Sequence, residues 1–294
     1  MCLRDTIFLY KRGDYMELTH SDVLTILPNR NPVSHKGDFG KILLLCGSRG
    51  YTGAAALAAM GALRCGAGLV YLGVPESIYA IEAVKLNEPV VFPLPDENGM
   101  LSVKALDQIL ELLPKMDAVL IGCGMGCNKD TFSVVENVLK TYLGPVVLDA
   151  DGINVLSGHI DVLRGRTGTT IITPHVGEFH RIGGVLTEDK VESARVFAKH
   201  SNTIVLLKGH GTAITDGDRC YINPTGNPGM AVGGSGDVLA GMITALLGQG
   251  IAPLEAAACG AWLHGAAGDI CAEEIGQYGM IPSDMLEVLP RLLK

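Results

Sequence analysis

The sequence predicts an α/β protein in which a mostly parallel central sheet carries helices on both faces. Short apolar runs of the kind that form buried parallel strands alternate along the chain with longer segments that have the apolar spacing of helices. The composition agrees, because 48% of the 294 residues are hydrophobic, only 5% are aromatic and 38 are glycine. Small apolar residues in this proportion favour close packing of helices on a sheet.

The first half of the chain begins with a polar segment, residues 1–34, which is predicted to form an N-terminal arm with a short helix. The first strand is predicted at 42–46, where the run Ile-Leu-Leu-Leu-Cys is continuously apolar and is followed by glycine. Similar runs predict strands at 68–74, 118–121 and 145–148. Apolar residues at helical spacing, or runs of small residues, predict helices at 52–65, 103–113 and 131–142.

The second half of the chain continues the alternation. Strands are predicted at 170–173 and 203–207, with two short strands around 213–222. Helices are predicted at 191–200, 237–247, 253–275 and 283–293. No linker rich in proline, glycine and serine interrupts residues 35–294, and no internal repeat is found, so these residues are expected to form a single domain.

Charge and hydropathy argue against several classes of partner. The formal net charge of −8, without a run of like charges, argues against nucleic acid as the main partner. The N-terminus lacks the apolar core of a signal peptide. The most apolar late stretch, 256–270, contains His264 and Asp269 and is too short to span a bilayer. A cytoplasmic protein that contacts neither nucleic acid nor membrane is therefore expected.

The eight cysteines are scattered without a C-x-x-C pair. Cys123 and Cys127 lie in the run Cys-Gly-Met-Gly-Cys, which leaves metal or redox chemistry open as an alternative. The scatter favours reduced thiols that pack as small apolar residues.

The glycine-rich run at 226–237 predicts an anion site. Glycines let consecutive N–H groups turn toward one point, and the helix that begins near Asp237 adds the positive end of its dipole. Phosphate is the anion that fits such a site best. Asp237 would then handle a proton on a group next to the phosphate. The alternative is a tight turn in which Asp237 caps the helix.

The predicted strands end in residues that are able to bind ligands. In sheets of this class, ligands bind beyond the carboxyl ends of the strands. Those ends carry Gly47, Gly122, Asp149, His175 and Lys208. The sequence therefore predicts one functional edge of the sheet.

Four side chains at this edge are candidate ligands. Asp149 and Asp151 could hold Mg²⁺, which prefers carboxylate and phosphate oxygens, and turn or capping roles are the alternative. His175 could contact a substrate phosphate or amide, although a lone histidine is usually structural. Lys208 could meet a phosphate, and the alternative is a solvated lysine at a hairpin.

The loop at 47–54, with the sequence GSRGYTGA, can also approach a ligand closely with its backbone. It is not a P-loop, because no Gly-Lys-Ser/Thr follows. Gly50 and Gly53 give half the spacing of G-x-G-x-x-G, and Glu76 lies about where a ribose-binding acid would be. A dinucleotide-binding Rossmann site is thus only weakly indicated, and close packing of helix on strand is the structural alternative.

Five segments, in their order along the chain, resemble the NAD(P)H-hydrate dehydratases. The segments are 35–40 (HKGDFG), 149–152 (DADG), 173–179 (TPHVGEF), 207–212 (LKGHGT) and 233–241 (GGSGDVLAG). The resemblance implies a ribokinase-like fold. This chain departs from the family pattern at two places: residues 122–126 read GCGMG where the family often has GPGLG, and Ser235 replaces the usual threonine. Both changes leave the backbone roles intact.

The resemblance also assigns roles to residues. It implies that the adenine nucleotide is bound by Lys208, Gly209, His210, Gly211, Thr212, Asn227, Gly234, Ser235 and Gly236. It implies that the substrate is bound by Gly53, Ala54, Gly124, His175 and Asp237, with Asp237 as the catalytic base. Because a helix N-terminus stabilises negative charge, the pKa of Asp237 is expected to lie below its usual value.

The activity implied by the resemblance is a metabolite-repair dehydration. ADP, or ATP as the alternative donor, would phosphorylate the S-epimer of NADHX or NADPHX with Mg²⁺ present, and elimination would restore NADH or NADPH. A homotetramer is implied as well. About 34 residues before His35 are too few for an epimerase domain, so the stand-alone form is expected.

Two other classes of function remain open from the residues. One is a ribokinase-like small-molecule kinase that acts on a vitamin-like alcohol, such as a hydroxyethylthiazole or a hydroxymethylpyrimidine. The other is a non-catalytic nucleotide-binding module or a Rossmann dehydrogenase. The presence of Asp237 inside the glycine loop argues against a pure binder, and the incomplete G-x-G-x-x-G argues against the dehydrogenase.

Overall fold

The computed structural model describes residues 15–294. Its strands are β1 (Lys41–Leu45), β2 (Leu69–Pro75), β3 (Val90–Leu94), β4 (Asp96–Glu97), β5 (Met100–Leu101), β6 (Ala118–Ile121), β7 (Val146–Leu148), β8 (Thr170–Ile172), β9 (Ile204–Leu207), β10 (Thr212–Thr215) and β11 (Cys220–Asn223). Its α-helices are α1 (His20–Ile26), α2 (Thr52–Arg64), α3 (Glu76–Lys85), α4 (Leu106–Leu112), α5 (Lys129–Thr141), α6 (Asp151–Asn154), α7 (Asp161–Arg164), α8 (Val176–Arg181), α9 (Lys190–Ser201), α10 (Ser235–Gly248), α11 (Pro253–Glu274) and α12 (Pro282–Leu292).

Nine strands form one sheet in the order β11-β10-β9-β8-β7-β6-β1-β2-β3, and β4 and β5 pair separately. The neighbours from β3 to β9 are parallel, whereas β10 pairs antiparallel with β9 and β11. The chain builds outward from β1 in both directions, so the strand order reverses between β1 and β6. In doubly wound sheets, ligands bind in the crevice at such a reversal.

Helices cover both faces of the sheet, as predicted. Alternate residues of β1 face opposite sides, with Ile42 and Leu44 in one core and Leu43 and Leu45 in the other. The first core includes residues of α1, α2, α3, α10, α11 and α12, and the second includes residues of α4 to α9.

Helices α2 and α10 approach each other unusually closely through glycine. A Cβ on Gly61 would lie 2.6 Å from the carbonyl oxygen of Val238, and a Cβ on Gly241 would overlap the carbonyl oxygen of Ala58. Only glycine allows these backbones to touch. The contact fixes the N-terminus of α10 beside the loop that follows β1.

The structure confirms every predicted strand and helix of the parallel sheet but contains elements that the sequence did not predict. Helix α3 was missed because its apolar residues point to both sides, and Ile81 and Val84 are exposed. Strand β3 was missed because it is an edge strand that contains Pro93. The hairpin β4–β5 and the short helices α6, α7 and α8 are likewise additions.

The predicted N-terminal arm lies partly outside the described residues, because 1–14 are not covered. Helix α1 matches the predicted short helix, and Leu18 and Val23 are buried in the core that α2 and α10 share. The boundary at residue 35 stays a prediction. Within residues 15–294, no helix is both long enough and apolar enough to cross a membrane.

Candidate functional site

The loops after β1 and β6 meet at the point where the strand order reverses. The Gly47 amide donates to the carbonyl of Cys123 at 2.8 Å, and the Ser48 hydroxyl donates to the carbonyl of Gly124 at 2.8 Å. A Cβ on Gly124 would lie 2.8 Å from the Cβ of Ala54. The predicted substrate residues Gly124, Ala54 and, next to it, Gly53 are therefore brought together.

Asp237 lies in the first turn of α10, directly behind the glycine turn. Gly234 precedes the helix with φ +99°, and a Cβ there would lie 2.5 Å from Leu57. Ligand atoms of Asp237, Asp149 and Cys123 all lie within 4.8 Å of one another. We call these three residues the carboxylate cluster. It places Asp237 between the glycine turn and the loop after β6.

The expectation that the helix N-terminus lowers the pKa of Asp237 is wrong. Burial and the negative charge of Asp149 raise the pKa of Asp237 from 3.8 to about 6. The hydrogen bond from Cys123 and the charge of Lys208 act in the opposite direction but do not compensate. Desolvation outweighs the dipole because a buried carboxylate loses its hydration. A pKa of about 6 suits a base that works near neutral pH.

Asp149 and Asp151 have separate sets of partners. Buried Asp149 accepts hydrogen bonds at Oδ1 from Lys208 Nζ at 2.8 Å and from the Thr173 hydroxyl at 2.6 Å. Asp151 accepts from the Gly126 amide at 2.8 Å and from the side chains of Cys127 and Asn154. Asp149 thus belongs to the carboxylate cluster, whereas Asp151 fixes the loop after β6.

Lys208 connects the end of β9 to the carboxylate cluster. Its Nζ lies 2.8 Å from Asp149 Oδ1 and 3.8 Å from Glu178 Oε2. Burial alone would lower the pKa of Lys208, but the two carboxylates raise it, so the ammonium stays charged. A Cβ on Gly236 would lie 3.3 Å from Nζ. This cation beside the first turn of α10 is held in place, unlike a solvated lysine at a hairpin.

A cleft of about 1000 Å³ opens beside the N-terminus of α10. Its volume is at the upper end of the range for small-molecule sites. Most of the predicted nucleotide residues line it: Lys208, Gly209, His210, Gly211, Thr212, Asn227, Ser235 and Gly236. Gly234 lies outside this lining. These predicted nucleotide residues span positions 208 to 236 of the sequence, and the structure brings them to one cleft.

Several lining residues of the cleft were missed by the sequence analysis. They come from β11, the turn after it, and the inner faces of α10 and α11: Ile222, Asn223, Thr225, Leu239, Ala261, His264 and Gly265. Burial lowers the pKa of His264 to about 4, so its ring is neutral. Apolar and neutral residues in ordinary helix and strand patterns carry no sequence signal for a ligand; only the packing of β11 against α11 identifies them.

The side chain of Asn227 forms two hydrogen bonds within the protein. Its Nδ2 donates to Asp269 Oδ1 at 2.9 Å, and its Oδ1 accepts from the Gly229 amide at 3.0 Å. The Gly226 amide donates to Asp269 Oδ2 at 2.9 Å. Asn227 and Asp269 therefore hold the rim of the cleft, and Asp269 is a further residue whose role the sequence analysis missed.

His175 caps α8 at the mouth of the cleft. Its Nδ1 accepts from the amides of Gly177 and Glu178 at 2.9 Å and 3.3 Å, which leaves the proton on Nε2. Nε2 lies 3.5 Å from Glu178 Oε1, and 57% of the side chain is exposed. His175 thus lines the cleft together with the predicted nucleotide residues, whereas Gly53, Ala54 and Gly124 are outside its lining.

The architecture matches proteins of known fold. A ribokinase-like superfamily protein from Enterococcus faecalis superposes with a TM-score of 0.84 over 98% of each chain, at 24% identity. This match confirms the predicted ribokinase-like fold class. The model of the NAD(P)H-hydrate dehydratase family matches residues 42–291. The chain therefore belongs to the NAD(P)H-hydrate dehydratase family.

Individual relatives agree with this assignment. The bifunctional NAD(P)H-hydrate repair enzyme of Moorella thermoacetica is 45% identical over 274 residues, which are 91% of this chain and 52% of the relative. The ADP/ATP-dependent NAD(P)H-hydrate dehydratase of Bacillus subtilis, co-crystallised with ATP and Mg²⁺, is 31% identical with a TM-score of 0.83, covering 96% of this chain and 98% of that one. The chain spans about half the length of the curated relatives that it matches.

Proposed function

We propose that this chain catalyses the nucleotide-dependent dehydration of the S-epimers of NADHX and NADPHX to NADH and NADPH, with ADP as the preferred phosphoryl donor. The observation that carries the proposal is the position of Asp237, a half-buried carboxylate with a pKa of about 6 between the glycine turn and the loops after β1 and β6. Membership of the dehydratase family supports the choice of substrate.

The proposed phosphorylation replaces hydroxide, a poor leaving group, with phosphate, a good one. Hydroxide does not leave readily from carbon 6 of the hydrated ring. Transfer of the terminal phosphoryl group of the nucleotide to that hydroxyl, with Asp237 accepting its proton, gives a phosphate ester. The adjacent ring nitrogen then expels inorganic phosphate, and loss of a proton from carbon 5 restores the dihydropyridine. The products are NADH, AMP and phosphate, or ADP in place of AMP when ATP is the donor.

The surrounding groups support the phosphoryl transfer. We propose that the amides of residues 234–236, at the N-terminus of α10, stabilise the phosphoryl oxygens, with the Ser235 amide also donating to the carbonyl of Val232 at 3.3 Å. Lys208 adds a fixed cation beside Gly236. In this proposal the nucleotide occupies the cleft that Lys208, residues 209–212, Asn227, Ser235 and Gly236 line, with Gly234 shaping the turn. The hydrated ring lies against Gly53, Ala54, Gly124 and His175.

The side chains around Asp149 supply only part of the oxygen ligands that Mg²⁺ prefers. Oδ2 of Asp149 accepts from Cys123 Sγ at 3.7 Å, its Oδ1 accepts from Lys208 and Thr173, and a ligand atom of Asp237 lies within 4.8 Å. We propose that Asp149 holds the ion together with the nucleotide phosphates, where Mg²⁺ would neutralise phosphate charge. A role for Asp151 as a ligand stays a prediction.

The kinase alternative has less support. A hydroxyethylthiazole kinase from Pyrococcus horikoshii shares the fold with a TM-score of 0.59 at 19% identity, which speaks to fold alone. The dehydrogenase alternative lacks its phosphate-binding glycine pattern, although the strand order around β1 resembles that of dinucleotide-binding sheets.

The decisive experiment mixes the purified protein with hydrated NADH and either ADP or ATP. We expect dihydronicotinamide absorbance to recover, with phosphate and AMP (or ADP from ATP) formed in equal amounts and no phosphorylated dinucleotide accumulating. Mass spectrometry of the quenched mixture measures each product. A stable phosphorylated thiazole or pyrimidine alcohol, without recovery of NADH from the hydrate, would move the assignment to the kinase.

We further propose that the protein is a homotetramer in the cytoplasm. The free thiols of Cys46, Cys65, Cys123, Cys127, Cys220, Cys259 and Cys271 are consistent with a reducing compartment. Light scattering at working concentration tests the tetramer, and a monomeric mass would reject it.

A further inference from the structure

The loop between β1 and α2 presents two large side chains whose polar ends have no partner inside the described part of the chain. Tyr51 is 63% exposed, and Arg49 is exposed beside it. Within residues 15–294, neither the Tyr51 hydroxyl nor the Arg49 guanidinium forms a hydrogen bond or ion pair. Both side chains are free to receive a ligand.

The backbone of this loop is held by hydrogen bonds, although the Tyr51 hydroxyl and the Arg49 guanidinium have no partner within the described residues. The Tyr51 amide donates to the carbonyl of Ser48 at 2.9 Å, and the Arg49 amide donates to the carbonyl of Gly99 at 2.8 Å. The aliphatic part of Arg49 covers Gly99 so closely that a Cβ on that glycine would overlap it. An ordered loop that exposes an aromatic ring and a cation is suited to binding rather than to packing.

The loop lies where the substrate is expected. A Cβ on Gly124 would lie 2.9 Å from the Cβ of Tyr51 and 2.8 Å from that of Ala54. Gly124 follows Cys123, which belongs to the carboxylate cluster with Asp237. A Cβ on either of the flanking glycines, residues 50 and 53, would meet no atom within 4 Å, so the space in front of the loop is open.

We propose that Tyr51 and Arg49 recognise the dinucleotide substrate, with the Tyr51 ring stacking on one of its heterocyclic rings and Arg49 pairing with one of its phosphates. A dinucleotide carries flat rings and phosphates, which an aromatic ring and a guanidinium bind well. Either the pyrophosphate or the 2′-phosphate of the NADP form supplies the same phosphate chemistry. This inference rests on the proposed function, because it assumes that the substrate binds beside Asp237.

The test compares Tyr51→Ala, Tyr51→Leu, Tyr51→Phe and Arg49→Ala with the wild-type protein. Two exposed residues on other segments serve as controls, Tyr278→Ala and Arg291→Ala, of which Arg291 is ion-paired with Glu274. The readouts are KM and kcat for hydrated NADH and NADPH at saturating ADP, the Kd of the products NADH and NADPH from their fluorescence, and the Kd of ADP. Product binding is measurable even if turnover is absent, so failure of the proposed function is distinguishable.

We expect Tyr51→Ala and Tyr51→Leu to raise KM and the product Kd roughly five- to fiftyfold, with kcat and ADP binding within about twofold. Tyr51→Phe should resemble the wild type, and the controls should change nothing. Arg49→Ala should weaken NADH and NADPH equally if it meets the pyrophosphate, and NADPH alone if it meets the 2′-phosphate. Unchanged product binding in Tyr51→Leu and Arg49→Ala, or an equal loss of ADP binding, would overturn the inference.

Discussion

The carboxylate cluster and the β1–α2 loop lie next to each other but differ in the burial and the hydrogen bonding of their side chains. In the cluster, Asp149 is 2% exposed and each of its oxygens has a protein partner. In the loop, Tyr51 and Arg49 are exposed and have no side-chain partner within the described residues. In the proposed mechanism, the charges next to the reacting atoms are fixed before the substrate arrives, whereas the groups proposed to recognise the substrate are left unpaired until it binds.

The largest expected effect comes from removing the proposed base. Asp237→Asn keeps the shape of the side chain but cannot accept a proton, so kcat should fall by roughly two to four orders of magnitude. The Kd of ADP should change little, because the glycine turn is intact. Single-turnover assays with hydrated NADH measure the first quantity and calorimetry the second. Near-normal turnover would remove Asp237 from the chemistry.

The second-largest expected effect comes from removing Lys208, the cation next to the carboxylate cluster. Lys208→Ala leaves the buried carboxylates of Asp149 and Glu178 without a counter-charge, so the free energy of unfolding should fall by about 3 kcal/mol. ADP should bind more weakly than in the wild type, while product binding changes less. Denaturant unfolding and calorimetry measure these effects.

A double variant tests the Lys208 prediction further. Adding Asp149→Asn to Lys208→Ala removes one unpaired charge, and it should recover part of the stability without restoring ADP affinity. If Lys208→Ala is as stable as the wild type and binds ADP equally well, then Lys208 is only a surface charge.

The position of the cluster depends on the contact between α2 and α10, so that contact should be intolerant of a methyl group. Gly241→Ala would overlap the backbone of Ala58 and should cost about 1–3 kcal/mol of stability. It should also lower kcat, because it moves the first turn of α10. Gly165→Ala is the control, since its Cβ would meet only Asp161 O at 3.6 Å. Equal thermal stability of the two variants would contradict the close packing.

The smallest expected effect is a pH-dependent change in stability caused by Asp237. Because the folded protein raises its pKa to about 6, the folded state binds more protons than the unfolded state between about pH 4 and 6, and stability falls as pH rises through that range. Asp237→Asn should therefore be more stable than the wild type at pH 8, by about 1–3 kcal/mol. Below about pH 4 the difference should vanish.

Urea unfolding at pH 4 and pH 8 measures this difference, with the exposed Asp218→Asn as control. A variant that is less stable than the wild type at pH 8 would show that Asp237 contributes to the fold instead of opposing it.

The sequence was sufficient for the parallel strands inside the sheet, because buried strands such as β1 and β6 are continuous apolar runs and glycine or a charged residue marks their ends. It was also sufficient for the glycine turn and Asp237, where residue type alone dictates backbone freedom and charge. It failed at α3 and β3, which lie at the edge of the sheet and lack the clean periodicity of buried elements.

What the sequence could not supply is the environment of each charge. The direction of the pKa shift of Asp237 depends on burial and on Asp149, which lies 88 positions earlier in the chain (149 against 237). The neutral state of His264 and the partners of Asp151 were likewise decided by neighbours from other elements. Sequence by itself determined the fold class, the family resemblance and the chemical types at the strand ends, because these follow from local pattern. Only the tertiary structure decided which charges are desolvated together and which side chains stay open to a ligand, because electrostatic and packing energies depend on distances between segments that are remote in sequence.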